Sequence, residues 1–158
     1  VTDTSLVFGE KDAPLKITAF LSLHCSHCAR ALEKIKDMLR TEVKMAIEIV
    51  LVTYDSKILE VLYNFKRVNK NDEALELLNR WYSTDPYSRS KITENLCIPE
   101  DNEFYKEITN ENQRLFKECN VIGTPTFFIN GYMLPNQYDI DDIKYFSEVF
   151  SGNEKVKV

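Results

Sequence analysis

The stretch Leu15-Lys16-Ile17-Thr18-Ala19-Phe20-Leu21-Ser22-Leu23-His24-Cys25-Ser26-His27-Cys28-Ala29-Arg30 decides how this chain is read. Its first seven residues are almost continuously apolar, the pattern of a strand covered on both faces. Beyond it, Ala31, Leu32, Ile35, Met38 and Leu39 recur at helical spacing, which predicts a helix over 25–40. Both histidines of the chain, and two of its four cysteines, fall between the two patterns in His24-Cys25-Ser26-His27-Cys28. A Cys-x-x-Cys pair that enters a helix suits redox chemistry. The thiolate is the nucleophile, and a helix N-terminus supplies free N–H groups and partial positive charge to stabilise it.

Outward from this core the organisation is regular. Residues 45–52, Met-Ala-Ile-Glu-Ile-Val-Leu-Val, read as a second strand, and strand–helix–strand in this order predicts a right-handed crossover with parallel pairing. Residues 5–8 are expected to form a short edge strand ahead of Gly9 and a turn. From 56 to about 120 the strand signals stop. Helices are expected over 57–68, 72–82 and 102–119, the last with Phe104, Ile108, Leu115 and Phe116 inward. The sheet resumes at Thr126-Phe127-Phe128-Ile129. There Asn130-Gly131 predicts a type I′ hairpin returning through Tyr132-Met133-Leu134, because that turn needs positive φ at both central residues. A last helix over 140–150 is expected to pack Ile143, Phe146, Val149 and Phe150 on the sheet. The expectation is one α/β domain over 1–158, with an all-helical insertion at about 56–120.

The 158 residues are enough to bury a core without disulfide staples, and 44% hydrophobic with 28% charged residues is ordinary globular composition. A net charge of −5 and the lack of a basic run argue against a nucleic-acid partner. No apolar run reaches the roughly 20 residues of a membrane span. The opening Val1-Thr2-Asp3-Thr4 is not a charged-then-apolar leader, as expected of a mature form or a piece of a longer chain. Four cysteines are too few for a disulfide scaffold at this length and fit catalysis better.

Cys25 is expected at the exposed helix N-terminus, where it would exchange with a partner's disulfide or thiolate. Cys28, one turn inside, would resolve the mixed disulfide. His27 between them would stabilise the Cys25 thiolate when protonated, and His24 would add to this or line the rim. Gly123-Thr124-Pro125-Thr126 precedes a strand, where proline is tolerated, and a cis Thr124–Pro125 bond is inferred. That turn would offer the Thr124 backbone to an extended substrate segment beside the dithiol. Zinc is disfavoured as an occupant of the 24–28 run, since one short stretch does not easily surround a metal and no other histidine exists. Ala29 stands where a c-type haem motif needs histidine. Cys97 and Cys119 are read as a second disulfide, as buried free thiols, or as an electron relay. The aromatic residues of the insertion, Trp81 and Tyr82 among them, read as helical core.

Taken together, the Cys-Ser-His-Cys strand–helix junction, the helical insertion, and Gly-Thr-Pro-Thr-Phe-Phe-Ile-Asn-Gly resemble the thioredoxin superfamily over about 15–150, and the insertion resembles its DsbA-like branch. Cys-Ala-Arg-Ala opening the first helix, Asn-Gly-Tyr-x-Leu-Pro at 130–135 and Ile-Lys-Tyr-Phe at 143–146 are similar to the thioredoxin-like domain that bacteria fuse to vitamin K epoxide reductase-type membrane proteins. The resemblance implies a central mixed sheet flanked by helices, with Cys25 as nucleophile, Cys28 as resolving thiol and Pro125 as cis proline. It also implies a thiol–disulfide oxidoreductase with no cofactor beyond its own dithiol, acting on cysteines of exported proteins. Further implied are a periplasmic or outer membrane-face location, possible tethering through a longer parent chain, and a membrane quinone reductase, in the same chain or apart, as electron partner. Two departures stand out. Ala19 occupies the strand position where many relatives carry a buried carboxylate, and His24 replaces the aromatic residue usual before the nucleophile. An oxidant role is expected, with an envelope reductase as alternative. A thioredoxin-fold module that binds without turnover is the alternative of another class.

Overall fold

The computed structural model describes residues 5–52, 56–96, 102–135 and 137–143. Five strands form one mixed sheet in the order β1-β3-β2-β4-β5. They are β1 (Leu6–Gly9), β2 (Leu15–Leu21), β3 (Met45–Leu51), β4 (Thr126–Ile129) and β5 (Tyr132–Met133). β2 and β3 run parallel, joined by α1 (Ser26–Leu39), as the strand–helix–strand order predicts. β1 lies antiparallel on the outer side of β3, and β4 lies antiparallel on the other side of β2. This is the thioredoxin fold.

Between β3 and β4 the described chain is helical: α2 (Ser56–Arg67), α3 (Asn71–Ser83), a 3-10 turn at Pro86–Ser88, α4 (Ser90–Glu94) and α5 (Asn102–Glu118). The bounds fall within two residues of the expected ones. Of the expected last helix, only its start is described, as a 3-10 turn at Ile140–Asp142 leading to Ile143. The 144–150 segment, the Phe104 side chain and Cys97 lie outside the described residues.

One face of the sheet presents Leu6, Ile17, Ala19, Leu21, Ile47 and Ile49 to the main core, against Leu32 and Ile35 of α1, Leu62 of α2 and Leu78 and Trp81 of α3. On the other face, Phe20, Val50 and Val121 are buried beneath Leu115 and Phe116 of α5. The expectation that β2 is covered on both faces holds only at its C-terminal end. Lys16 is exposed and Thr18 half-buried, because among the described residues α5 covers the second face only as far as Phe20. The sheet is therefore dry where β2 ends, and the Cys-x-x-Cys segment begins there.

The hairpin forms as its sequence demands. Asn130 and Gly131 have φ of 47° and 87°. Asn130 also exchanges backbone and side-chain bonds with Lys16, its N–H reaching Lys16 O and its Oδ1 accepting from Lys16 N, both at 2.8 Å. These bonds pin the hairpin to β2, and the register of β4 carries Thr124 and Pro125 toward the start of α1.

Candidate active site

Cys25 is the N-cap of α1. Its backbone is extended (φ −108°, ψ 121°), and its carbonyl accepts the N–H groups of Cys28 at 3.2 Å and Ala29 at 3.4 Å. No side chain caps the helix, and its first turn holds no acidic residue. The positive end of α1 is thus left to the Cys25 sulfur. Cys25 is half-buried, whereas Cys28, one turn in, is completely buried.

The chain crosses back at Gly123-Thr124-Pro125-Thr126. The Thr124–Pro125 peptide is cis, as inferred. The Cys25 thiol donates to the Thr124 carbonyl at 3.5 Å, and Thr126 Oγ1 donates to Gly123 O at 2.6 Å, closing the turn. Cys25, Cys28, Thr124 and Pro125 therefore converge as the sequence predicts.

Their electrostatics separate the two thiols. Burial pushes Cys25 up, but hydrogen bonds from the Cys28 side chain and N–H, the Thr124 hydroxyl and the His27 N–H outweigh it and hold the thiol below its ordinary value. Burial pushes Cys28 up to about 12, opposed by the Ser22 N–H and the Thr124 hydroxyl and reinforced by Cys25. The Cys25 thiol is thus the more readily ionised of the two, and Cys28 holds its proton far more tightly. The Thr124 hydroxyl favours the thiolate of either, a role the sequence did not disclose.

The backbone N–H of His27 favours the Cys25 thiolate, while the exposed His27 imidazole lies along a cleft of about 350 Å³. That cleft runs from His27 and Arg30 past Pro125 to Met133 and Tyr138, with Ile122 fully exposed at its edge. His24 is exposed, its ring 5.9 Å from that of Trp81 in an edge-on contact.

Trp81, Tyr82 and Arg89, which sequence reasoning assigned to core or passed over, fasten the loop before the nucleophile. Trp81 Nε1 donates to Leu23 O and the Tyr82 hydroxyl to Ser22 O, both at 2.8 Å. Arg89 secures the clamp from outside, its Nε on Trp81 O at 2.9 Å and its guanidinium 5.2 Å from the Trp81 ring centre. Adjacent polar-tipped aromatics, Trp81-Tyr82, were the available signal, but nothing in the sequence paired them with 22–23.

The remaining candidates lie elsewhere. Cys119 is a free, half-buried thiol packed on the Phe20–Val50–Val121 cluster. Cys119 thus stands as a free thiol, and Cys97, its partner in the disulfide alternative, lies outside the described residues. Ala19 is fully buried in the main core and places a methyl group where a carboxylate was noted as missing. Among the described residues, no group of three or more His, Cys, Asp or Glu side chains is placed to hold a metal. Among them, too, no helix is long and apolar enough to cross a membrane.

A mixed five-stranded sheet with a Cys-x-x-Cys helix start facing a cis-proline turn defines the thioredoxin class of fold and site. The thioredoxin family model matches residues 1–146, and the chain belongs to that family. No curated protein matches it in sequence. Solved structures similar to it are DsbA- and ScsC-like. The catalytic domain of Proteus mirabilis ScsC is 18% identical, with a TM-score of 0.74 over 96% of this chain and 92% of that one. A periplasmic thioredoxin-like protein from Salmonella enterica serovar Typhimurium is 16% identical, with a TM-score of 0.77 over 96% and 92%. BdbD from Bacillus subtilis is 17% identical, with a TM-score of 0.71 over 95% and 94%.

Proposed function

We propose that this chain is a thiol–disulfide oxidoreductase that oxidises cysteines of exported proteins. The observation that carries the reading is the asymmetry of the dithiol: Cys25 is half-buried and lowered at the helix N-terminus, while Cys28 is buried and raised. Stabilising the Cys25 thiolate stabilises the reduced form, which makes the disulfide the better oxidant. A substrate thiolate attacks Cys25 Sγ of the disulfide, the Cys25–Cys28 bond breaks, and Cys28 leaves as a thiolate and takes up a proton. A second substrate thiolate then attacks the substrate sulfur of the mixed disulfide. It forms the substrate's disulfide and releases Cys25 as the thiolate. Thr124 and Pro125 are the docking edge for the extended segment, and the cleft from His27 to Tyr138 receives its flanking residues.

An exported location is supported by the Salmonella relative, described as periplasmic. Reoxidation by a membrane quinone reductase of the vitamin K epoxide reductase type rests on the resemblance of 130–135 and 143–146, and it makes tethering through a longer parent chain part of the proposal.

The test is the equilibrium potential of Cys25/Cys28 in glutathione buffers, read by counting alkylated sulfurs by mass. A value toward the DsbA end, about −120 mV, is expected, whereas about −270 mV would make the chain a reductase. Cys25→Ser should abolish exchange. If exchange is absent in the parent protein while peptide affinity survives, the chain is a binding module instead.

A further inference from the structure

The cleft beside the dithiol takes its cations from α1 and most of its apolar surface from the chain around β4 and β5. His27, Arg30 and Lys34 line it at spacings of three and four residues, which put them on one face of the helix. Lys34 is already neutralised, its Nζ 2.6 Å from Asp139 Oδ2 and 3.6 Å from Asp141 Oδ2. Arg30 is exposed, and among the described residues no hydrogen bond or ion pair engages it. Of the six large hydrophobic residues that stand exposed among the described residues, Ile122, Met133 and Tyr138 lie on this one cleft. That concentration marks a surface that a partner covers.

We infer that Arg30 is a specificity-determining residue, selecting extended, apolar substrate segments that carry an Asp or Glu two positions from the reacting cysteine. This deepens the oxidoreductase reading and rests on it. Arg30 lies five residues beyond Cys25, about 7.5 Å along the helix axis at a rise of about 1.5 Å per residue. Two residues of extended chain cover nearly the same distance, at about 3.3 Å each, and return the side chain to the face that carries the cysteine. A carboxylate there meets the guanidinium, whose paired N–H donors match its two oxygens. Its apolar neighbours cover Ile122 and Met133. A lysine at that position meets a like charge instead. The net charge of −5 works against acidic partners in general, so the selectivity is local to the cleft.

Three dithiol peptides, alike except for Asp, Asn or Lys two positions from the first cysteine, provide the test against the disulfide form of the protein. Each peptide dithiol is oxidised to its disulfide as the Cys25–Cys28 disulfide is reduced, and the two protons of the peptide thiols pass through water to the two protein sulfurs. Rates are divided by those of the same peptides with hydroxyethyl disulfide, which removes the effect of the varied side chain on the peptide's own thiol. The Asp peptide is expected to react about fivefold faster than the Lys peptide, with Asn between them, the scale of an exposed ion pair gained or opposed. Arg30→Glu should reverse the order. Arg40→Glu, at the far end of α1, changes the net charge equally away from the cleft and should leave the order as it is. An Asp-to-Lys ratio that is the same in the parent and in Arg30→Glu, or that Arg40→Glu shifts as much, would overturn the inference. If no peptide reduces the Cys25–Cys28 disulfide of the parent protein, the oxidoreductase reading itself fails, and this inference with it.

Discussion

The sulfur of Cys25 lies 3.5 Å from the carbonyl oxygen of Thr124, a residue 99 positions further along the chain. The hydroxyl of the same threonine favours the thiolate form of either sulfur. The turn read as a substrate edge is thus also part of the electrostatic environment of the nucleophile.

Removing that hydroxyl should therefore raise Cys25. The rate of Cys25 alkylation against pH, in a Cys28→Ser background, is expected to reach half its plateau below the ordinary thiol value of 9.0. Thr124→Val should move that midpoint upward. No movement would remove the hydroxyl from the account of Cys25 reactivity.

His27 offers a sharper division, between its ring and its backbone. Since it is the His27 N–H that favours the Cys25 thiolate, His27→Ala should leave the Cys25 midpoint nearly where it is. His27→Pro keeps the first helical turn, where proline is tolerated, and deletes the N–H. A charge-assisted hydrogen bond of about 1.5 kcal/mol corresponds to about one pKa unit upward. A larger shift in the alanine variant than in the proline variant would return the effect to the imidazole.

The opposite shifts of the two thiols also set how reduced-state stability responds to pH. Cys25 is lowered on folding, so its contribution is complete above pH 9.0 and is lost as pH falls through its folded value. Cys28 is raised, so its contribution is complete below pH 9.0 and is lost as pH rises toward about 12. The disulfide form titrates neither group. Urea midpoints of the reduced protein, measured relative to the disulfide form, should rise with pH toward 9 and then decline. A relative midpoint independent of pH would contradict both shifts.

Trp81 tests the clamp. Trp81→Phe leaves Leu23 O without its indole donor in a buried site and removes part of a buried ring. The expected cost is about 2–4 kcal/mol in urea unfolding, from an unsatisfied carbonyl together with lost packing. A change below about 0.5 kcal/mol would mean that water or a neighbour replaces the indole.

The parts legible in the sequence are those written in local periodicity. The apolar run at 15–21, the helical spacing from Ala31 to Leu39 and the Asn130-Gly131 turn each form as their residues require. Cys25, Cys28 and Pro125 were legible because residue type and spacing carry chemistry by themselves. The clamp was not, because Trp81 and Tyr82 lie on helical faces whose spacing reads the same whether a ring tip ends in the core or on a carbonyl 58 or 60 residues away. The extent to which α5, among the described residues, covers the second face of β2 escaped for a related reason. An apolar run does not state how far its covering helix extends, and Lys16 and Thr18 were the only local marks of where α5 stops.

The anchoring of residues 22–25 by Trp81, Tyr82 and Thr124 has a consequence for biogenesis. A nascent chain that has emerged only as far as α1 already carries its Cys-x-x-Cys, but neither the Thr124 hydroxyl nor the later helices that bury Cys28 and clamp 22–23. Contacts this distant in sequence form after the local ones. The full separation of the two sulfurs is thus a product of completed folding, and an unfinished copy offers the thiols around it a dithiol whose second sulfur is not yet buried.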